Sequence, residues 1–463
     1  MRYAALVAAV FAARFLATAI SYPQSDGDIE WQRWLGSRIL ADGKIPRALG
    51  PETFSAPGAY WLPQEWLFSI AAYLSHGIWW PVFAGVVALC PLIAILLVAL
   101  RAQKTGASDS ASAILVAFAG VALLESFGVR VQVVAWPLLA AFLYLVERDD
   151  GKSFWAIAVA IIWANIHASV MLAPALALAM TVGTYLDSGI GPKLRRISII
   201  TIGSLGATCI NPFGWELPAY AIHLVSSPFK DMISEWRHTT IAEEAFAFAA
   251  LPMLLGLVAF GLRGPNAWRD RAIAAATAIL MFGAARNIAI FAITCAPFVA
   301  VAATNAIPWL RKSVAPKDEA TDRIIGRTLP IFAVLLFGIV TYGLISSESR
   351  MQDDQPRKAI AMIKSIPGHH RVFCADFAWC AFLVSSNNDA VYLDSRADPY
   401  PEEIWKTYGK IVRLKSGWSK ALDTTTADIV MSGKTSAFES GLELSPGWRA
   451  IYDDSKYRVW TRR

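Results

Sequence analysis

Charge is what this sequence has least of. Asp, Glu, Lys and Arg make up 17% of its 463 residues, while 56% are hydrophobic. Soluble domains carry roughly a quarter charged residues. The shortage excludes a disordered chain and argues against an ordinary soluble enzyme, which could not hide so much apolar surface. Cysteine and histidine are scarce too, at five and six residues. No CxxC pair or Cys/His cluster has zinc spacing. A Walker loop, a GxGxxG turn and a GxSxG elbow are all missing, which removes the sequence case for a P-loop, dinucleotide or hydrolase site. No Lys/Arg stripe is interleaved with aromatics, so the net charge of +6 does not point to nucleic acid.

What is present is long apolar runs and a mean hydropathy of +0.44. A helical membrane span needs ~20 apolar residues. Candidate spans fall at 3–20, 77–100, 111–124, 131–146, 154–164, 170–186, 197–210, 245–262, 272–284, 288–308 and 329–346, about eleven helices, several of them short. The stretch 154–186 holds no charged residue. As one helix it would be ~50 Å long, beyond the ~30 Å hydrocarbon core. A break at Asn165–Ser169 is therefore expected. With the N-terminus inside, the inner segments carry 16 basic and 9 acidic residues, and the outer loops before residue 347 carry 8 basic and 12 acidic. That asymmetry has the sign of the positive-inside rule. Residues 3–20 read as a retained first helix rather than a cleaved signal peptide, because Arg14 interrupts the apolar region.

Two parts follow: a transmembrane bundle over 1–346, including a first outer loop at 21–66, and a soluble outer domain over 347–463. The tail has 17 basic and 15 acidic residues, the balance of an ordinary globule. Short strands are expected at 371–375, 390–394, 428–431, 448–452 and 457–461, with helices at 356–366, 377–384 and 402–414. Such alternation predicts a mixed or parallel sheet. Cys374 and Cys380 lie in this outer domain, where oxidation is permitted, and form a candidate disulfide.

The first outer loop holds Ser25-Asp26-Gly27-Asp28-Ile29-Glu30-Trp31 just after the first span. A partly desolvated carboxylate there would be a better base; the plainer reading is outward-facing surface charge. Farther on, the aromatic run Tyr60–Leu67 suits a helix lying at the interface. Arg130 and Arg286 stand at the outer ends of spans. They could stabilise a leaving phosphate or snorkel to headgroups. Arg14, inside the first span, could reach a lipid phosphate or a partner carboxylate. Asn165, His167, Glu235 and Trp236 approach the same outer face and are candidate substrate contacts, as are Glu30 and Glu65. For His167 the alternative is a cap on the helix break. Asp394-Ser395-Arg396 follows a strand, where ligand loops are often placed; a turn closed by a local Asp–Arg pair is the plainer reading.

The layout of residues 15–75 resembles membrane glycosyltransferases of the GT-C fold, in the protein mannosyltransferase and aminoarabinose transferase-like branch. One span precedes a large outer loop carrying an acid. A helix ending in glycine follows, then a proline segment leading into a Trp-Leu-rich helix. Here Asp28 stands 15 residues before Gly43, and Pro63-Gln64-Glu65-Trp66-Leu67 occupies the later position. The usual Asp-Glu pair is Asp28-Ile29, with Glu30 one place on. The chain also resembles bacterial membrane proteins of unassigned activity, through Trp163-Ala164-Asn165-Ile166-His167, Asn211-Pro212-Phe213-Gly214, Ser234-Glu235-Trp236 and Tyr392-Leu393-Asp394-Ser395-Arg396.

The resemblance implies a bacterial inner-membrane protein of GT-C-like architecture, with a cytoplasmic N-terminus and a periplasmic α/β tail. Its implied activity is inverting transfer of a sugar from a polyprenyl-phosphate donor to a lipid, glycan or protein acceptor. Asp28 would be the base, with Asp26 as alternate or helper. Arg286, Arg130 and Arg14 would hold the donor phosphate among membrane lipids. A divalent cation could assist, although no metal ligand set is defined. The rival readings are a transporter or flippase of lipid-linked sugars and a non-catalytic envelope scaffold. Against the transporter, no internal repeat is evident and the acids sit in a loop rather than mid-span.

Overall fold

The structure is a computed structural model that describes residues 2–21, 27–75, 77–225, 232–264, 266–311, 356–386 and 388–463. Before residue 312 the main helices are α1 (Arg2–Ser21), α2 (Gly27–Asp42), α3 (Trp66–Leu74), α4 (Trp80–Lys104), α5 (Asp109–Glu125), α6 (Val131–Val146), α7 (Trp155–Ala164), α8 (Leu172–Ser188), α9 (Pro192–Ala207), α10 (Glu216–Val225), α11 (Leu251–Phe260), α12 (Ala267–Gly283) and α13 (Ile288–Ala306). Ten of the eleven expected segments fall on helices; the last, 329–346, lies outside the described residues. Three helices are long and apolar enough to cross a membrane: Trp80–Lys104, Ala168–Ser188 and Ala285–Ala306. Four more, Tyr3–Ala19, Val131–Val146, Gly151–Ala164 and Phe246–Phe260, are apolar but shorter. By length and composition the described residues thus carry three such helices, fewer than expected.

The chain divides into two units. The bundle unit comprises Met1–Ser21, Pro81–Ala221 and Ile233–Ser346; the sheet unit comprises Tyr22–Trp80, Ile222–Met232 and Ser347–Arg463. The expected boundary at 346 left the first loop with the bundle. The loop instead belongs to the same unit as the tail.

In the bundle unit α13 is the central helix, with most of its residues buried and packed by α5, α6, α11 and α12. Its many alanines allow close helix approach. Beside it, the fully buried Arg101 donates to Glu147 through Nε at 3.1 Å and Nη2 at 2.7 Å, and to the Ile293 carbonyl of α13 at 3.1 Å. All parts of this pair are satisfied, as a buried ion pair requires. The break between α7 and α8 is present: α7 ends at Ala164, and a 3-10 turn at Ala168–Met171 starts the next helix.

In the sheet unit, β1 (His370–Cys374), β2 (Asp389–Val391), β3 (Ile429–Gly433), β4 (Trp448–Asp453) and β5 (Tyr457–Arg462) form one sheet in the order β2-β1-β3-β5-β4. The first three strands pair in parallel and the β3–β5 and β5–β4 pairs are antiparallel, a mixed sheet as expected. Two short helices, Trp418–Thr424 and Ala437–Glu443, were not anticipated. Cys374 and Cys380 form a disulfide. The run Tyr60–Glu65 is not the expected interfacial helix. Tyr60 bridges Ala48, Trp61 and Leu62 are buried, and the helix starts only at Trp66. Pro63 lacks the N–H and restricts the residue before it, which delays the helix.

Candidate functional site

Three separated segments of the bundle unit meet around Glu235. Arg130 is the extended residue that opens α6, Arg286 sits in the turn Ala285–Asn287 before α13, and Glu235 lies in the turn Ser234–Trp236. The Glu235 carboxylate is 3.6 Å from Arg130 and 3.8 Å from Arg286. The Arg286 guanidinium lies 4.4 Å over the Trp236 ring and donates to Gln132 Oε1 at 3.3 Å. The segment carrying Glu235 is anchored locally: Ala285 N–H donates to the Arg237 carbonyl at 3.0 Å, Thr239 donates to the Met281 carbonyl, and Ala245 N–H donates to Glu125. Two helix starts, each bearing an arginine, thus share one carboxylate.

The contacts in this cluster are loose and partly exposed. Both Arg–Glu contacts exceed hydrogen-bond length, and their side chains remain 19–32% exposed. Such pairs are worth ~0–1 kcal/mol, so little stability would be lost if a ligand displaced the carboxylate. Two guanidinium groups thus flank the Glu235 carboxylate. Charge-assisted N–H···O bonds at ~2.7–2.9 Å to a phosphate would be shorter and stronger than the present contacts, and helix starts favour bound anions.

His167 lies in the break between α7 and α8. Its Nδ1 accepts from Ser169 N–H at 3.1 Å and is 2.7 Å from Ser169 Oγ, which accepts from Trp163 Nε1 at 3.0 Å. With Nδ1 an acceptor, the ring proton belongs on Nε2. Burial, together with the Arg286 charge, holds the imidazole well below its ordinary value. His167 is therefore a neutral cap on the break. Asn165 is also committed to structure, its amide donating to the Ile161 and Ile210 carbonyls at 2.9 and 2.8 Å. Arg14 is exposed on α1 and has no ion pair among the described residues. Of the expected phosphate ligands, Arg130 and Arg286 come together, and Arg14 is not brought into an ion pair with them.

The loop acids belong to the sheet unit. Asp28 and Glu30 lie in the first turn of α2, where negative side chains stabilise a helix start by ~0.3–1 kcal/mol. Asp28 is partly exposed. Glu30 pairs with Arg33 at 3.3 Å. Glu65 accepts from Gln32 and, at 3.0 Å, from Gln64. Asp26 lies outside the described residues. Asp394 and Arg396 close a local turn, and both are fully buried. Arg396 also donates to Glu52 at 2.8 Å and stacks 5.3 and 5.1 Å from Trp34 and Trp61. This ion group fastens the first loop to the tail and offers no open ligand position. Gln132 escaped the sequence reading; its only signal is a lone amide in an otherwise apolar helix.

Compared with known proteins, the chain matches no protein-family model and no curated protein.

Proposed function

We propose that the chain is a polytopic inner-membrane protein of about eleven spans, with a GT-C-like bundle and a periplasmic tail. On this reading it is an inverting glycosyltransferase that uses a polyprenyl-phosphate sugar. The observation that supports it best is the convergence of Arg130 and Arg286 on Glu235 beside Trp236. The acceptor hydroxyl oxygen bonds to the anomeric carbon as the bond from that carbon to the phosphate oxygen breaks. The phosphate leaves with the electron pair, and the hydroxyl proton passes to a carboxylate base.

Negative charge grows on the leaving oxygen, so the two arginines would act mainly in the transition state. Trp236, already under Arg286, would keep that guanidinium oriented. The resemblance of residues 15–75 assigns the base to Asp28. Transfer by the purified full chain, from a polyprenyl-phosphate sugar to membrane-derived acceptors, tests both assignments. Asp28→Asn and Arg286→Ala should each lower turnover by about 10²–10³-fold, the size of effect seen when one transition-state donor is removed. Unchanged turnover in both variants would sink the reading.

A further inference from the structure

The sheet unit carries an open cavity of about 410 Å³ that none of the candidate site residues lines. Its floor is one register row across three strands. Ile429 on β3 pairs with Thr461 on β5, and Thr461 pairs with Arg449 on β4. Directly opposed residues share a face of the sheet. One wall is the end of helix Arg357–Ser365 with Ile366, and another is the His370–Asp428 pair.

The charges in this cavity are unevenly committed. His370 Nδ1 donates to Asp428 Oδ2 at 2.9 Å, and Nε2 faces the Pro367 carbonyl at 3.2 Å. The other Asp428 oxygen accepts from Arg371 N–H at 2.6 Å. Both ring nitrogens thus meet acceptors, a pattern only the doubly protonated imidazole satisfies in full. Asp428 is occupied by these donors. Arg449 is exposed and has no ion pair among the described residues. Its guanidinium is the uncommitted charge, set beside the Thr461 hydroxyl and the aliphatic Ile366 and Ile451. A planar fork with a hydroxyl and an apolar wall matches a ligand that bears one carboxylate, several hydroxyls and an apolar ring face.

We propose that this cavity binds an acidic sugar residue, with Arg449 taking the carboxylate, Thr461 a hydroxyl, and Ile366 and Ile451 the face of the ring. The inference rests on the glycosyltransferase reading only in naming that sugar as part of an acceptor glycan. Calorimetric titration of the full chain with glucuronate, glucose and acetate tests it. Glucuronate should bind saturably and at least about tenfold tighter than glucose or acetate. Arg449→Gln should lose about tenfold or more, and Thr461→Val several-fold. Glucuronate no tighter than glucose or acetate, or an Arg449→Gln chain with full affinity, overturns the proposal. Tight glucuronate binding in a chain without transferase activity supports the cavity and counts against the acceptor role alone.

Discussion

His370 carries more information than its place in a strand suggests. Partial burial works against its charge, but the Asp428 carboxylate, the Pro367 carbonyl and the Asp389 charge outweigh burial and hold the imidazole above its ordinary value. A group raised on folding contributes stability that is fully present below its unfolded value, near 6.5. That contribution is lost as pH rises through the higher folded value. Thermal midpoints of the full chain should therefore fall as pH is raised from about 6 toward 8. A His370→Gln chain should show a flatter profile over the same window, and identical slopes would refute the assignment. The effect should stay below about 1 kcal/mol, because the Asp428 side chain is partly in water. Neither His370 nor the Glu235 cluster could be read from spacing. Arg130, Glu235 and Arg286 come from three segments far apart in the chain, and only helix packing sets the distances between them. The Asp394–Arg396 pair was legible because two residues in one turn must meet, whereas Glu52 was not.

At the scale of elements, α2 is positioned by two glycines. A Cβ on Gly27 would lie 2.3 Å from the Ala378 carbonyl oxygen, and one on Gly36 would lie 2.1 Å from that of Ser69. The helix can approach its neighbours this closely only because both residues lack side chains. Gly36→Val should force α2 and α3 apart and cost about 1–3 kcal/mol, read as a lower thermal midpoint; an unchanged midpoint would argue against the close packing. Helix positions were legible wherever apolar runs were long, and strands wherever alternation was clean. The break before α8 followed from length, since a single uncharged helix there would overrun the hydrocarbon core, and from the charge rule, which fails for every later loop without it. The run Tyr60–Glu65 was misread as a helix because its aromatic pattern fitted one. Pro63 and the bridge between Tyr60 and Ala48 took precedence.

For the whole molecule, the division into units is the main departure from expectation. Residues 52–54 lie along β2, with Val391 N–H donating to the Glu52 carbonyl at 2.9 Å and Phe54 N–H donating to the Val391 carbonyl at 3.1 Å. The Arg396 group locks the same contact from the side-chain level. Breaking a buried ion pair from one side costs ~3–5 kcal/mol. Arg396→Ala should therefore loosen the first loop from the tail sheet and expose new protease sites between Gly43 and Tyr60. Limited proteolysis of the full chain reads this directly, and an unaltered digest would show that the backbone contacts suffice.

The sequence alone determined the composition class, the positions of most helices, the helix break and the alternation of strands and helices in the tail. Each depends on local periodicity, length or summed charge. Tertiary structure decided which distant charges meet, that the loop joins the tail, and that His167 and Asn165 serve as structural caps. Those outcomes depend on packing between segments far apart in the chain, where small residues, buried ion pairs and a single proline select among arrangements with the same local pattern.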